Sequence, residues 1–207
     1  SQVTVFDETN TAPVEYGYTI GEGPSAQDEP VGVLFARPGS LVKMGFGAGL
    51  LGFRSLLLNS DNPEDKGEAL GAGFAIEDET SFARTSYLAA RDMWTLDESR
   101  MRELAGFAIE NERLNNLHGK AKEELDLGEA AFDDKQWSQF VRHTRAAIGL
   151  ESRAYPDVKD TQNDVVQGII FFMALVLPCA YFAERLLITA ATIQRQIMGF
   201  GAIFIVI

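Results

Sequence analysis

Short runs in which apolar and polar residues alternate fill the first eighty positions of the chain. These runs are rich in β-branched and aromatic residues, and the segments between them are rich in Pro, Gly, Asn and Ser, which are typical of turns. The pattern predicts about six short strands that form a small, sandwich-like, β-rich part over residues 1–80. The clearest strands are expected at residues 3–6, 14–20, 31–36 and 41–46, with one more at 70–76.

From position 81 the apolar residues recur at steps of three and four, which is the period of an amphipathic helix. Thr95 and Glu98 have the form of a capping box, in which the two side chains satisfy backbone amides of the first helical turn. We therefore expect a helix of roughly nine turns that begins near Thr95. The acidic pair at 133–134 should end it.

A second amphipathic helix is expected from Trp137 onward, because apolar residues continue at helical spacing as far as Tyr155. Pro156 should end or kink this helix, since proline restricts the residue before it. A short link between two amphipathic helices is typical of an antiparallel hairpin. Residues 81–163 are therefore predicted to form a long helical hairpin that serves as a stalk.

The longest apolar run, residues 165–183, carries no charged side chain. As a helix it would span ~28 Å, close to the hydrocarbon thickness of a bilayer. A second apolar run at 197–207 follows after a short link and is expected to be the start of another transmembrane helix. The alternative interpretation of residues 165–183 is a buried helix of a large soluble core. The favoured fold class is an α+β membrane protein fragment, with residues 164–207 as its membrane part, and we expect the chain to be an internal piece of a longer protein.

Charge divides the chain in the same place. The formal net charge is −12, and the four charged residues from Asp164 onward sum to zero, so the whole negative balance lies in residues 1–163. An acidic domain argues against nucleic acid as a partner, since phosphates attract Lys and Arg. Arg185 and Arg195 lie in the short link between the apolar runs, and positive charge in such links favours the cytoplasmic side. We therefore expect a protein of the inner cell membrane whose acidic domain is extracytoplasmic.

Several patterns resemble binding motifs without their context. Residues 47–52 match the dinucleotide pattern G-x-G-x-x-G, but no room remains for the helix that must follow it. The acidic loop at 61–68 has Pro63 where a calcium loop needs an oxygen ligand. The two histidines, His118 and His143, are expected on different helices, where they could face each other but would lack a third metal ligand. No cofactor or metal is therefore predicted.

Catalytic signatures are not found in the sequence. It has no G-x-S-x-G elbow, no H-E-x-x-H and no Walker lysine. The carboxylates are numerous, but we expect them at solvated positions scattered over helix surfaces. The chain is therefore interpreted as non-enzymatic.

A family resemblance adds to this interpretation. Six segments in three stretches resemble large bacterial envelope proteins of the FtsX-like permease family of ABC-transport type, some of which carry carboxypeptidase-regulatory-like modules. The segments are residues 52–59, 67–76, 89–98, 109–115, 149–157 and 163–172.

The resemblance implies that an extracytoplasmic domain is linked by the helical stalk to membrane helices. It also implies a short cytoplasmic coupling segment, residues 184–196, that meets an ATPase subunit. The coupling candidates on that segment are Glu184, Arg185, Arg195 and Gln196. The partners expected from the resemblance are the lipid bilayer, a cytoplasmic ATPase and further subunits in a homo- or hetero-oligomer.

Two alternatives remain open. The first is a membrane-anchored module that binds or senses an extracytoplasmic ligand and does not transport. The second is an anchored hydrolase whose active site lies in a segment before residue 1. Ordinary interfacial anchoring is also an alternative role for the four coupling candidates.

Overall fold

The computed structural model describes residues 2–21, 31–47, 53–77, 81–188 and 193–206. The chain divides into two compact units, residues 1–158 (unit 1) and 159–207 (unit 2). The mixed α+β architecture predicted from the sequence is confirmed, with a small sheet part at the N-terminal end and a long apolar helix. The strands are β1 Gln2–Phe6, β2 Tyr16–Gly21, β3 Val31–Ala36, β4 Leu41–Gly47, β5 Phe53–Leu57 and β6 Phe74–Ala75, and the helices are α1 Lys66–Ala69, α2 Thr85–Gly106, α3 Glu112–Asp133, α4 Trp137–Leu187 and α5 Ile193–Val206.

The strands of unit 1 form two separate antiparallel groups. β4 is the centre of the larger sheet, whose order is β1-β4-β5, and β6 also pairs with β4. The register places Val5 opposite Met44 and places Met44 opposite Leu57 on the other side. β2 and β3 form a two-stranded hairpin. Because side chains alternate along a strand, Met44 and its partners on β1 and β5 lie on one face of the sheet.

The helix expected from Thr95 is wrong in its start and its length. Thr95 lies in the middle of α2 and is buried, so it cannot cap a helix. α2 ends at Gly106, where Ala108 adopts a φ of 57°. The Ile109 amide donates to the Leu104 carbonyl at 3.1 Å and the Ala108 amide donates to Ala105 at 2.9 Å, which is the Schellman arrangement.

The third helix begins with a side-chain cap. Asn111 has extended backbone angles, and its side-chain oxygen accepts from the amides of Arg113 and Leu114. This is the N-cap geometry that satisfies the free amides of a first helical turn. Three helices, α2, α3 and the first part of α4, therefore replace the two helices of the predicted hairpin.

The ends of α3 and the start of α4 agree with the prediction, since α3 ends at Asp133 and α4 begins at Trp137. Pro156 does not end the helix, which continues to Leu187. Proline removes one backbone hydrogen bond, but its neighbours Tyr155 and Val158 are buried in the core of unit 1. Burial of this face holds the helical backbone on both sides of the proline.

The core of unit 1 is built around α2. One face of α2 packs Met93 and Leu96 on Leu56 and Leu58, which lie in and just after β5, and on Tyr155 of α4. Further clusters join the same helix to α3 and α4 and to the sheet, and their buried members are Tyr87, Ala90, Leu125 and Ala147, and Leu57, Phe74 and Ala89.

Unit 2 contains the second part of α4 together with α5. Within the described part of the chain, α4 is the one helix that is long and apolar enough to cross a membrane, with a mean hydropathy of 2.2 in its most apolar window. α5 has 14 residues, fewer than the ~20 that a span needs, so the expectation of a second transmembrane helix stays a prediction. Gly199 allows α5 to approach α4 closely, because a Cβ there would lie 2.9 Å from Ile188 and 3.4 Å from Glu184.

A glycine after α1 makes a close contact that can be tested. Gly71 has a φ of +79°, and a Cβ at this position would lie 2.1 Å from the carbonyl oxygen of Leu58. Gly71→Ala should destabilise the full chain by about 3 kcal/mol or more, because the backbone has to move. Gly39→Ala is the matched control, since Gly39 has a φ of +78° and open space around its Cβ position. That control should cost only about 1 kcal/mol in denaturant unfolding, and equal losses would show that the clash is relieved without cost.

Candidate functional site

Charged side chains are buried between the three helices of unit 1. Asp97 on α2 and Glu151 on α4 are fully buried, and His118 on α3 is nearly so. The expectation that the carboxylates lie at solvated helix positions is therefore wrong for these two. We refer to Asp97, Glu98, His118 and Glu151 as the His118 cluster.

His118 is the centre of this cluster. Its Nδ1 lies 3.0 Å from a carboxylate oxygen of Glu151, and its Nε2 lies 3.1 Å from an oxygen of Glu98. Both ring nitrogens face an acceptor, and only the doubly protonated imidazolium can donate to both. One ring on α3 thus connects a carboxylate of α2 with a carboxylate of α4.

Two opposing effects act on the pKa of His118. Burial lowers it, while the hydrogen bond to Glu151 and the negative charges of Glu151, Glu98 and Asp97 raise it. The net shift is upward, so the ring keeps its charge at a higher pH than an exposed histidine does. Charge and hydrogen bonding therefore favour the same protonation state.

Trp94 covers the imidazole. Its ring stacks on His118 with centroids 5.0 Å apart and planes only 6° from parallel. The indole Nε1 donates to the backbone carbonyl of His118 at 3.3 Å, and the ammonium of Lys122 lies 5.6 Å from the Trp94 ring centroid. This cover keeps water away from the ring and fixes its orientation.

Asp97 has one paired and one unpaired oxygen. Arg100 donates to Oδ1 at 3.2 Å, while Oδ2 is buried without a hydrogen-bond partner. Burial, together with the charge of Glu151, raises the pKa of Asp97 to about 7, although Arg100 and His118 act to lower it. The Asp97 carboxyl therefore holds its proton up to neutral pH.

Glu151 is in a similar environment. Oε1 bonds to His118, but Oε2 is buried and has no hydrogen-bond partner. Burial raises the pKa of Glu151, although the bond to His118 and the charge of His118 lower it. Asp97 and Glu151 thus each bond to one cation, Arg100 and His118 respectively, and each keeps one buried oxygen without a donor.

A second buried carboxylate connects α2 to the sheet. Asp92 accepts from the backbone amides of Leu58 and Asn59 at 2.7 and 2.8 Å, and more weakly from Ser60 at 3.4 Å. Arg91 pairs with it at 3.2 Å. Burial raises the pKa of Asp92 against the effect of these donors. Asp92 thereby holds the chain that leaves β5 against α2, which is a structural role.

The two histidines do not face each other. His143 is buried, and its Nδ1 lies 2.7 Å from Glu124, while Arg142 lies 3.0 Å from its Nε2. Because arginine can only donate, Nε2 accepts from Arg142 and Nδ1 donates to Glu124.

The coupling candidates lie in unit 2 in different environments. Glu184 is 2% exposed, and its Oε1 has no hydrogen-bond partner. Arg185 is exposed and lies beside the ring of Tyr181. Arg195 is exposed and Gln196 is half-buried at the start of α5. The link at 189–192, which belongs to the predicted coupling segment, lies outside the described residues.

The glycine pattern and the acidic loop are the other two motifs. Most of the glycine pattern at 47–52 lies outside the described residues. In the acidic loop Asp65 caps α1 with its side chain, and Glu64 pairs with Arg102 at 2.9 Å. Across the ranges that the structure describes, no group of three or more His, Cys, Asp or Glu side chains could hold a metal ion.

Unit 1 also contains an open cleft of about 590 Å³ between the sheet, the β2–β3 hairpin and the start of α2. Apolar side chains dominate its wall, among them Tyr18, Val33, Met44, Phe46 and Phe82. Its size lies in the range of small-molecule sites. The His118 cluster does not line this cleft, so cluster and cleft are separate features.

Comparisons of the chain with protein-family models, with curated proteins and with solved structures found no match. The resemblance to FtsX-like permeases therefore stays a prediction. The geometry of the cluster is a closed arrangement of protonatable groups. Chemically it can bind and release protons and can hold three helices together.

Sequence reasoning did not identify the cluster, although the sequence contains a signal. His118 falls four residues after Leu114 and three before Ala121, in the apolar stripe of α3. Glu151 falls in the same way between Ala147 and Ala154 of α4. A charged residue at a position where the period requires an apolar one predicts a buried partner.

Replacement of His118 tests the central contact. His118→Ala leaves two carboxylates without their shared cation, so we expect a loss of about 3–5 kcal/mol in unfolding free energy. His143→Ala is the matched control, because His143 is also buried but faces the single, partly exposed carboxylate of Glu124. That change should cost about 1–2 kcal/mol in urea unfolding followed by circular dichroism. If both variants lose the same unfolding free energy, the bridge from His118 to two carboxylates stabilises the fold no more than the burial of any histidine does.

The pH dependence of stability tests Asp97. Its pKa is about 7 in the folded chain against an ordinary 3.8, so its stabilising contribution is complete below pH 3.8 and is lost as pH rises to 7. Asp97→Asn removes this loss. The unfolding free energy of the variant minus that of the parent should therefore be about 2 kcal/mol larger at pH 8 than at pH 5. The exposed change Asp126→Asn should show a difference that does not vary with pH. A constant difference for Asp97→Asn would contradict the raised pKa.

Proposed function

We propose that this chain is the extracytoplasmic and membrane-embedded part of a permease-like subunit of the inner membrane, and that it works with a cytoplasmic ATPase. The observation that carries the membrane part of the proposal is the exposed apolar surface of α4. The 18-residue window that qualifies as a span is only 6% buried. A soluble core helix of that composition would be mostly buried, and a contiguous apolar patch of this kind needs another apolar phase to cover it.

The apolar side chains of this surface are large. Ile169, Ile170, Phe171 and Phe172 are all more than half exposed. Gly168 and Pro178 lie within the same helix, and both residue types are more frequent in membrane helices than in soluble ones. Lipid is the occupant that accounts for a surface with this composition and length.

Charge supports an orientation for the proposal. The net charge of −12 belongs entirely to residues 1–163, whereas Arg185 and Arg195 flank the link between α4 and α5. Under the positive-inside rule the link faces the cytoplasm and the acidic domain is outside. In the proposed subunit, Glu184, Arg185, Arg195 and Gln196 belong to the segment that meets the ATPase.

The same helix also offers a means of relay. α4 contains Glu151 of the His118 cluster and, further along, the apolar run. We propose that α4, whose residues belong to both units, transmits motion between the acidic domain and the membrane helices. ATP-driven transport is the function favoured by the proposed coupling segment.

A second candidate function is an anchored sensing module. The cleft between the β2–β3 hairpin and the sheet favours it, because a cleft of about 590 Å³ can hold a small apolar ligand. In that case α4 would report ligand binding and would not drive transport.

Topology decides whether either proposal stands. In a Cys179→Ala background, Ser138→Cys and Gln194→Cys each place one exposed thiol on opposite sides of the apolar run. We expect an impermeant thiol reagent to label position 138 in intact cells and position 194 only after lysis.

Each other outcome has a distinct meaning. If position 194 labels and 138 does not, the orientation is reversed and the coupling segment cannot meet a cytoplasmic ATPase. If both positions label equally in intact cells, the apolar run does not cross the membrane, and both proposals fail.

A further inference from the structure

The His118 cluster has more carboxylate oxygens than hydrogen-bond donors to satisfy them. Asp97 and Glu151 each have one buried oxygen without a hydrogen-bond partner. His118 serves Glu98 and Glu151, while Arg100 serves Asp97 and also lies 5.2 Å from the ring of Tyr155. Two like charges in a dry site repel each other strongly, so a proton on one of the pair stabilises the closed arrangement.

The cluster joins three helices that also meet through apolar side chains, through the His143–Glu124 bond between α4 and α3, and through the bond from the Trp94 indole to the His118 carbonyl. Glu98 belongs to α2, His118 to α3 and Glu151 to α4. The contacts around them include Ala147 and Ala154, which give close packing but no directional bond. Among these contacts, the bridge through His118 is the polar link from α4 to both other helices.

We propose that the His118 cluster is a proton-dependent clamp, which holds α4 against α2 and α3 while the Asp97–Glu151 pair keeps a proton and loosens when that proton leaves to solvent. The clamp is a property of unit 1 alone. Its use as a control on transport, so that external acid tightens the subunit and neutral pH releases it, rests on the proposed function.

The charged and titratable groups that face the pair come from every helix around it. α2 contributes Glu98, Arg100 and, at the edge, Arg102, which pairs with Glu98 at 2.7 Å. α3 contributes His118, with Lys122 above Trp94, and α4 contributes Tyr155. Arg100 binds one oxygen of Asp97 and His118 binds one oxygen of Glu151, so the second oxygen of each acid stays buried without a donor.

The coupling between proton binding and opening decides whether the clamp loosens as the pH rises or as it falls. Loosening exposes Asp97 and returns it to an ordinary acidity, so opening releases a proton and becomes more favourable as pH rises. The raised pKa values of Glu151 and His118 act in the same direction. The effect should level off near pH 7, where Asp97 is ionised in the closed state as well.

A buried thiol on α4 tests the clamp in the full chain in detergent micelles. Thr144→Cys in a Cys179→Ala background places the thiol two turns before Glu151, and Thr144 is buried with an unpartnered hydroxyl. Its labelling rate, divided by that of the exposed Ser138→Cys, removes the pH dependence of the reagent. We expect this ratio to rise about tenfold or more from pH 5 to pH 7.5 and then to level off.

Asp97→Asn in the same background should abolish the rise, because an amide cannot release a proton, while His143→Gln should leave it intact. An unchanged rise in Asp97→Asn, or a flat ratio in the parent, would overturn the clamp. As a second readout, Trp94 can be isolated by Trp137→Phe. Its emission should increase over the same pH range as it separates from the quenching imidazolium, and constant emission would also count against the proposal.

The clamp and the proposed function fail independently. A flat labelling ratio at position 144 leaves the membrane topology of α4 unaffected. Equal labelling of positions 138 and 194 in intact cells removes the membrane role but leaves a proton-dependent helix contact in unit 1.

Discussion

The bridge that His118 makes between Glu98 and Glu151 is the interaction on which the helical part of unit 1 depends. The three helices also pack through apolar side chains, among them Tyr87, Met93 and Leu125, and such contacts are not directional. A buried ion pair adds a directional constraint, since removing one member leaves an uncompensated charge in a medium of low polarity. The bridge therefore favours one arrangement of α2, α3 and α4.

The sheet is joined to these helices by another buried carboxylate, which binds backbone amides and not a histidine. Asp92 binds successive backbone amides after β5, and its position on α2 is five residues before Asp97. Residues five apart on a helix are about 140° apart around the axis, so the two carboxylates can serve different neighbours. On α2, Asp92 therefore binds the chain after β5, and Asp97 belongs to the His118 cluster. Met93 and Leu96 fill the apolar surface between these two acids.

Local chemistry explains which parts of the fold the sequence could predict. Strand positions followed from alternation and turn residues, and the end of α3 and the start of α4 followed from an acidic pair before Trp137. The end of α2 was missed because its left-handed residue is Ala108, where a glycine would normally mark the position. The capping-box pattern of Thr95 and Glu98 was misleading because a threonine also fits the buried face in the middle of a helix, which is where Thr95 lies. The prediction that Pro156 ends the helix was wrong because tertiary burial of its neighbours outweighs one lost hydrogen bond, while the alternative of a kink stays a prediction.

The buried acids were harder to predict because their positions depend on the energy of charge pairing between helices and not on a local sequence pattern. A charged residue in an apolar stripe is unfavourable unless its partner comes from another element, and a single sequence gives no pairing between α2, α3 and α4. Glu184 poses the same problem in unit 2, where Gly199 of α5 packs on it and one of its oxygens has no hydrogen-bond partner. If the proposed membrane location holds, a buried ionisable group is costly there, which makes Glu184 the coupling candidate with the stronger physical argument. Under the same proposal the exposed Arg185 and Arg195 fit ordinary anchoring at the membrane surface equally well.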